Sequence, residues 1–445
     1  MLRIHLLKHN MNMRNLPHPF PTLISEIYCH LSLTLLCLNV CFDLFFIWAP
    51  VFFLLELNVF SESSYQQCTT AIINWTTPIV FAMPMVFSGS RVFCDDLDIL
   101  KDSKEMNSLL LANHGSRIDW MVGMLCGFLM GQIDDRKYRR IRVGFVCEAI
   151  IQYMPIIGWY RRCVCNDVFV SRTFGKDRAK IESNIQHFHN SETERMLFLS
   201  PEGVVVDHGQ QDKKYIQACR EFCKLQGYAP FEYVLTPRYK GSNCLMRHVE
   251  NEGGPVISIC VAYVRSGRLL NCKLSSPERV VTDLYLLNQG FMGNPVDIYI
   301  SLARLPLKST KDDVKKILMN DYRRKDWVLR TWDKQLKHGL VEQTWTSQYR
   351  EVISDKQELL VYHSLHAVLI FITAFSFGIT RFLIKFMGYL FLVIMCGHII
   401  GTRMSSASIE SVPFETCIKS ISIFSLKLIE KIRRMKGRIG KKKET

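Results

Sequence analysis

The chain of 445 residues lacks the sequence marks of several function classes. Its 16 cysteines form no paired framework. Cys163 and Cys165 stand too close for a zinc knuckle, and Cys219 and Cys223 lie one helical turn apart with no second pair. A disulfide scaffold and a structural zinc module are thereby excluded, and no metal is implied. Cys29, Cys37, Cys41 and Cys396 fall in apolar runs and read as reduced, buried or lipid-facing thiols, as expected of a domain that faces the cytosol. No zinc-finger spacing or other nucleic-acid module accompanies the net charge of +15, so a nucleic-acid partner is not expected. A Gly-x-Ser-x-Gly nucleophile elbow is missing, which removes the common serine hydrolase reading. There is no internal repeat, and no low-complexity block apart from a basic tail.

Long apolar runs are present at both ends. Leu31–Leu57 is interrupted mainly by Asn39 and Asp43 and has the length of a bilayer span. Asp43 would cost about 2.5–3.5 kcal/mol at the centre of such a helix, which the many Leu and Phe residues can offset. Arg3, Lys8 and Arg14 precede it and predict a cytosolic N-terminus. Ala71–Ser88, broken by Pro78 and Pro84, predicts a short return span or a re-entrant helix pair. Val361–Thr380 and Phe386–Ile400, separated by Arg381 and Lys385, predict a hairpin with a basic turn or two interfacial helices. Residues 401–445 hold 11 basic and 4 acidic residues, an excess of +7, with Lys and Arg interleaved among Ile418, Ile421, Phe424, Leu428 and Ile432. That pattern predicts a basic amphipathic helix lying on an anionic bilayer, or a partner-binding helix. Lys442 and Lys443, fourth and third from the end, match the dilysine signal for return to the endoplasmic reticulum. The expected layout is an N-terminal membrane-anchoring segment at 1–88, a soluble domain at 89–345, a linker at 346–360, a hairpin at 361–400 and a basic cytosolic tail at 401–445.

The soluble domain alternates. Strands are expected at Ser108–Ala112, Val168–Arg172, Met196–Leu199, Val256–Val264 and Val296–Leu302. Helices are expected at Trp120–Met130, Lys176–Phe188, Lys213–Gln226 and Lys311–Gln335. The alternation predicts an α/β fold, a sheet covered by helices.

Four short elements carry possible chemistry. In Asn113-His114-Gly115-Ser116-Arg117-Ile118-Asp119-Trp120 an apolar strand ends at His114 and an Asp follows five positions on. Imidazole takes a proton near neutral pH, and a carboxylate can fix its tautomer and stabilise the cation. A surface His beside a helix-capping Asp has the same spacing. Asp167–Arg172 ends a strand in Arg172, suited either to a phosphate or to an ordinary ion pair. Leu197–Gly203 ends a strand in Pro201-Glu202-Gly203, where open α/β sheets bind ligands and also where strands simply turn. Tyr233–Arg238 runs from apolar residues into Pro237-Arg238.

These elements, in this order and at these separations, resemble the glycerophospholipid acyltransferases, the lysophosphatidic acid (1-acylglycerol-3-phosphate O-) acyltransferase family, whose first motif is Asn-His-x4-Asp. Arg117–Trp120 and Glu232–Arg238 look most like its lysocardiolipin and lysophosphatidylinositol acyltransferase branch. The resemblance implies a glycerolipid acyltransferase-like sheet and an acyl-CoA-dependent transfer to the free hydroxyl of a lysophospholipid, at the endoplasmic reticulum membrane. It implies catalytic roles for His114 and Asp119. Asn113, Arg172, Glu202 and Gly203 would bind substrate, Arg172 at the acceptor phosphate. Acyl-CoA is co-substrate, no cofactor is implied, and lysophospholipid and bilayer are the partners. The chain departs from the family where Ser200 replaces Phe, Val204 replaces Thr and Ser171 precedes Arg172. Glu148 stands where a Lys is usual. A catalytically silent lipid-binding or scaffold member of the same fold is the alternative.

Overall fold

In a computed structural model the described residues are 19–372, except 102–106, 134–141, 166, 172, 174, 176, 180, 184–194, 207–209, 271–272, 275–280, 307–312, 339–348, 353–363 and 366. The N-terminal apolar run is helical throughout. Helix α1 (Pro19–Phe42) passes through one π turn (Asp43–Trp48) into α2 (Ala49–Glu56). The chain then reverses into α3 (Glu62–Ser88), whose first turn is capped by the Ser61 hydroxyl accepting the Ser64 N–H at 3.1 Å. The expected break at Pro78 and Pro84 is not seen, because α3 continues as one helix through both. Residues Ile27–Glu56 form one helix long and apolar enough to cross a membrane, with a mean hydropathy of 2.0. Half of its most apolar window is buried inside the protein. The rest includes an exposed stripe of Ile27, Leu31, Leu35 and Leu38. Asp43, the residue that disfavours the span, is fully buried and accepts a 2.7 Å hydrogen bond from the Thr76 hydroxyl of α3.

The remainder is built on one mixed sheet. In chain order the elements are β1 (Val92–Cys94), α4 (Asp98–Lys101), β2 (Ser108–Ala112), α5 (Asp119–Ile133), β3 (Arg142–Glu148), a 3-10 turn (Ala149–Tyr153), α6 (Ile157–Cys163), β4 (Val168–Val170) and β5 (Arg195–Leu199). There follow α7 (Gln210–Leu225), α8 (Tyr239–Asn251), β6 (Val256–Arg265), β7 (Arg268–Leu269), α9 (Asp283–Phe291), β8 (Asp297–Arg304), α10 (Val314–Lys337) and β9 (Arg350–Glu351). The nine strands run β4-β3-β5-β2-β6-β8-β1-β9, with β7 paired to β6. The first five are parallel, and β8 then pairs antiparallel with β6.

Strand β2 shows why the centre of the sheet reads as an unbroken apolar run. Leu110 and Ala112 join the layer made by α5 and the N-terminal helices, while Leu109 and Leu111 join the opposite layer with α8 and α10. A parallel strand covered on both faces has no polar side. The carboxyl ends of β2, β3, β4 and β5 therefore lie along one edge, and the Asn113–Trp120 and Leu197–Gly203 elements start from it. Tyr233–Pro237 is a buried loop that leads to exposed Arg238: its Tyr233 N–H donates to Asp326 at 2.6 Å and its Leu235 N–H to Glu202 at 3.2 Å. Of the expected C-terminal hairpin, only residues 364–365 and 367–372 are described. They are helical, with Leu365, Val368, Leu369, Phe371 and Ile372 exposed. The second apolar run, the basic tail and the dilysine pair lie outside the described residues.

The N-terminal helices dock on the sheet domain partly through α9. A Cβ added to Gly290 would stand 2.0 Å from the Ser88 carbonyl oxygen, inside a backbone neighbour that cannot yield. Gly290→Ala should lower stability by about 2–3 kcal/mol, the range for overpacking a close contact. Thermal unfolding of the detergent-purified protein measures this, and an unchanged midpoint would show that α9 and the end of α3 do not meet.

Candidate active site

The site is assembled where β2 stops before its neighbour does. Ala112 pairs with Ile259, and β6 continues to Arg265. The Asn113 side chain takes over the ladder: its Oδ1 accepts the Val261 N–H at 2.7 Å and its Nδ2 donates to the Val261 carbonyl at 3.1 Å. Asn113 is thus spent on the backbone of β6, buried to 1% exposure. This geometry gives it a structural duty in ending the strand. The main chain is free to leave the sheet, and His114 follows at once.

His114 Nδ1 lies 2.9 Å from Asp119 Oδ2. Asp119 is buried, while 28% of the His114 side chain is exposed. An ionised carboxylate can only accept, so the imidazole hydrogen sits on Nδ1 and the lone pair on Nε2. The same Oδ2 accepts the Ser116 N–H at 3.1 Å, and the Ser116 hydroxyl accepts the Ile118 N–H at 3.2 Å. This is a reciprocal cap on the start of α5. Capping the helix and orienting the imidazole are therefore two uses of one carboxylate. Ser116 is fixed in turn by its 2.6 Å bond to the Val281 carbonyl, which also accepts the Arg117 N–H at 3.2 Å.

Glu202, fully buried, ties three segments together. Its Oε1 accepts the His114 N–H at 3.0 Å and its Oε2 the Leu235 N–H at 3.2 Å. Its own N–H donates to the hydroxyl of Tyr322 on α10, and that hydroxyl donates to the Ala112 carbonyl at 3.2 Å. Burial, with the nearby Glu202 and Asp321 carboxylates, pushes the Tyr322 phenol well above its ordinary value, so it stays neutral and can both donate and accept. Both carboxylate oxygens of Glu202 face protein donors, which makes it a brace for the His114 loop. Gly203 has φ of 71°, a left-handed turn position that glycine adopts without strain. The Arg238 side chain lies 3.4 Å from the point a Cβ on Gly203 would occupy. The Arg238 guanidinium sits 5.7 Å from the centre of the Tyr215 ring.

Asn113, His114, Asp119, Glu202 and Gly203 thus meet at one place. Arg172 lies outside the described residues. Glu148 is exposed at the carboxyl end of β3, in register with Val170 of β4, on the same sheet edge. Tyr322, and Tyr263, whose hydroxyl bonds Asp119, were not singled out by sequence reasoning. Tyr263 lies in an apolar strand and Tyr322 in a charged helix, and only their distant partners mark them. Among the described residues no group of three or more His, Cys, Asp or Glu is placed to hold a metal ion.

Residues 92–262 match the family model described as Acyltransferase. The chain is 23% identical to lysocardiolipin acyltransferase 1 of Gallus gallus over 286 residues, 63% of this chain and 65% of the relative. It is 28% identical to lysocardiolipin acyltransferase 1 of Danio rerio over 212 residues, 46% of this chain and 50% of the relative. A third similar protein is the probable 1-acyl-sn-glycerol-3-phosphate acyltransferase 5 of Arabidopsis thaliana, 23% identical over 283 residues, 61% of this chain and 65% of the relative. The chain therefore spans half to just under two thirds of the length of these relatives. Among solved structures, the 1-acyl-sn-glycerophosphate acyltransferase PlsC from Thermotoga maritima aligns with a TM-score of 0.35 and 15% identity, over 67% of this chain and 95% of that one. The resemblance seen in the motifs is thus matched by the comparisons, and the stretch that matches the acyltransferase model lies in the middle of the chain.

The brace by Glu202 is testable. Glu202→Gln places an amino group opposite either the His114 or the Leu235 N–H. Stability should fall by about 2–3 kcal/mol, the scale for losing a buried hydrogen bond to a charged acceptor. Amide hydrogen exchange of residues 113–117 should rise. Unchanged exchange there would show that Glu202 does not hold the loop.

Proposed function

We propose that this protein is an acyl-CoA-dependent O-acyltransferase that acylates the free glycerol hydroxyl of a lysophospholipid. The observation that carries this is the 2.9 Å contact between His114 Nδ1 and buried Asp119, with the imidazole partly exposed at the carboxyl edge of the sheet. Nε2 is then the base. It takes the hydroxyl proton as the oxygen attacks the thioester carbonyl carbon, while Asp119 stabilises the imidazolium. The tetrahedral adduct collapses by breaking the carbon–sulfur bond, and the departing thiolate receives the proton from His114. The products are the diacyl lipid and free CoA. The thioester is already activated, so no acyl-enzyme is needed. The acyltransferase match and the lysocardiolipin and 1-acyl-sn-glycerol-3-phosphate acyltransferase relatives support the lysophospholipid as acceptor class.

Arg172 is assigned to the acceptor phosphate, and Glu202 and Gly203 shape the pocket from its floor. The membrane segments hold the site where lysolipid and acyl chain concentrate. The domain at 89–345 and the tail face the cytosol, and the protein resides in the endoplasmic reticulum membrane. A second reading, a silent lipid-binding member of the fold, draws on Ser200, Val204 and Glu148. A panel of lysophospholipids with one labelled acyl-CoA, offered to membranes containing the protein, separates the two. Transfer supports the enzyme; lysolipid binding without transfer supports the alternative.

His114→Ala should lower turnover by roughly 10²–10⁴, the range for loss of a general base. Asp119→Asn should also be severe, since it leaves the wrong tautomer. Near-normal turnover of folded His114→Ala protein would rule the mechanism out. The same panel tests acceptor choice. Glu148 on the sheet edge disfavours a concentrated negative charge, so a phosphodiester such as lysophosphatidylinositol should be preferred to lysophosphatidic acid. Glu148→Lys should shift the ratio toward lysophosphatidic acid. An unmodified protein that prefers lysophosphatidic acid would show that Glu148 does not face the phosphate.

A further inference from the structure

Asp119 gives one oxygen to His114 and has a second. That second oxygen, Oδ1, accepts a 2.6 Å hydrogen bond from the hydroxyl of Tyr263. Tyr263 is fully buried on the part of β6 that outruns β2, one position beyond the region that matches the acyltransferase model. It is two residues past Val261, the residue capped by Asn113, so its side chain leaves the same face of the strand as Val261. The ring packs in the layer that also holds Met121 and Val122 of α5. The register that ends β2 at Asn113 therefore also delivers a phenol to the far side of the carboxylate.

We propose that Tyr263 is a positioning residue that sets the basicity of His114 through Asp119. The kinetic part rests on the acyl-transfer reading; the proton-affinity part does not. A short O–H···O⁻ bond draws charge from Oδ1 and leaves less on Oδ2, the oxygen facing Nδ1. The bond also fixes the plane of the carboxylate, so that Oδ2 points along the Nδ1–H direction. The other ionisable groups around the pair are Glu202 from the turn after β5, Tyr322 from α10 and exposed Arg117 on the His114 loop itself. Glu202 meets the backbone of His114, and Tyr322 meets Ala112 and Glu202. The hydrogen bonds on the Asp119 carboxylate come from His114, Ser116 and Tyr263.

The test reads the proton affinity of His114 directly. Full-length protein in detergent is treated with diethyl pyrocarbonate across pH, and carbethoxylation of the His114 peptide is followed by mass spectrometry, with His114→Ala as the blank. In Tyr263→Phe the midpoint should move up by roughly half a pH unit, because the uncompensated carboxylate holds the imidazolium more firmly. Incorporating 3-fluorotyrosine at position 263 keeps the shape and makes the phenol a stronger donor, so the midpoint should move down. This second variant preserves packing and decides the matter if Tyr263→Phe unfolds. In the acyl-transfer assay, Tyr263→Phe should lower kcat about tenfold with KM within about twofold, and the acidic limb of the profile should follow the midpoint. Midpoints that do not move, or that move together in both variants, overturn the proposal. Absence of acyl transfer by the unmodified protein would overturn the functional reading, while the modification arm would still decide the role of Tyr263.

Discussion

The site depends on the exchange between the Asn113 amide and the backbone of Val261. Strand β6 is longer than β2, so its edge toward β2 would otherwise present a buried N–H and C=O with nothing opposite. Leaving such a pair unmade costs about 1–3 kcal/mol for each group. A side-chain amide carries the same donor and acceptor as a peptide, and Asn113 supplies both at 3.1 and 2.7 Å. The strand can therefore stop without a break in the ladder, and the next residue, His114, is released at the edge. An Asp or a Leu in place of Asn113 would satisfy one of the two groups or neither. Strand termination alone therefore gives a physical reason for Asn before the His.

Below that point the strand is held from α10. Buried Lys325 donates to the Leu111 carbonyl at 2.8 Å and meets Asp321 at 3.0 Å, and Asp321 accepts the Ser258 hydroxyl of β6 at 2.7 and 2.8 Å. Burial lowers the Lys325 ammonium from its ordinary value, and the Asp321 carboxylate opposes that shift. Such a pair adds little net stability over well-packed apolar side chains, but loss of one partner strands a charge. What it contributes is register. A ridge of α10 carrying Asp321, Tyr322 and Lys325 can satisfy these groups at only one position along β2 and β6. The helix that fixes the His114 strand lies after residue 262, outside the segment that matches the family model.

Much of this was legible in the sequence, and the limits have physical causes. The strands at Ser108–Ala112 and Val256–Arg265 stand out because both faces are buried and the apolar runs are unbroken. Strand β1 is three residues long, and β3 ends in Glu148 with Gly144 inside it, so neither rises above its surroundings. Helix α8 is amphipathic yet starts directly after Arg238, which read as the end of a motif rather than the approach to a helix. At the site, spacing alone brought His114 to Asp119, since both lie on one short loop. Glu202 was found through its turn, but its bonds to residues 114 and 235 span distances in sequence that no local pattern reports. Tyr263 is invisible for the same reason, in a buried run where an aromatic residue needs no polar explanation, and Tyr322 is one aromatic residue among the charged residues of amphipathic α10.

The same scaffold that shapes the site also seats the apolar N-terminal helices. Helix α3 packs on α5, α1 packs on α6, and both pack on α9. Asp119 opens α5, and the Val281 carbonyl just ahead of α9 holds Ser116 and Arg117. The two ends of the His114 loop are therefore anchored to the helices against which the apolar pair is docked. The polar residue inside that pair, Asp43, is turned inward to Thr76 of α3 instead of toward the exposed Ile27–Leu38 stripe. The outward surface of α1 thus carries the apolar Ile27–Leu38 stripe, with His30 and Thr34 beside it, while its inward surface is fitted to the sheet domain. An apolar surface so fixed constrains any bilayer that covers it to lie in a set relation to α5 and α9, and through them to the imidazole. The position of the imidazole relative to that surface is then a property of helix docking and needs no flexible tether.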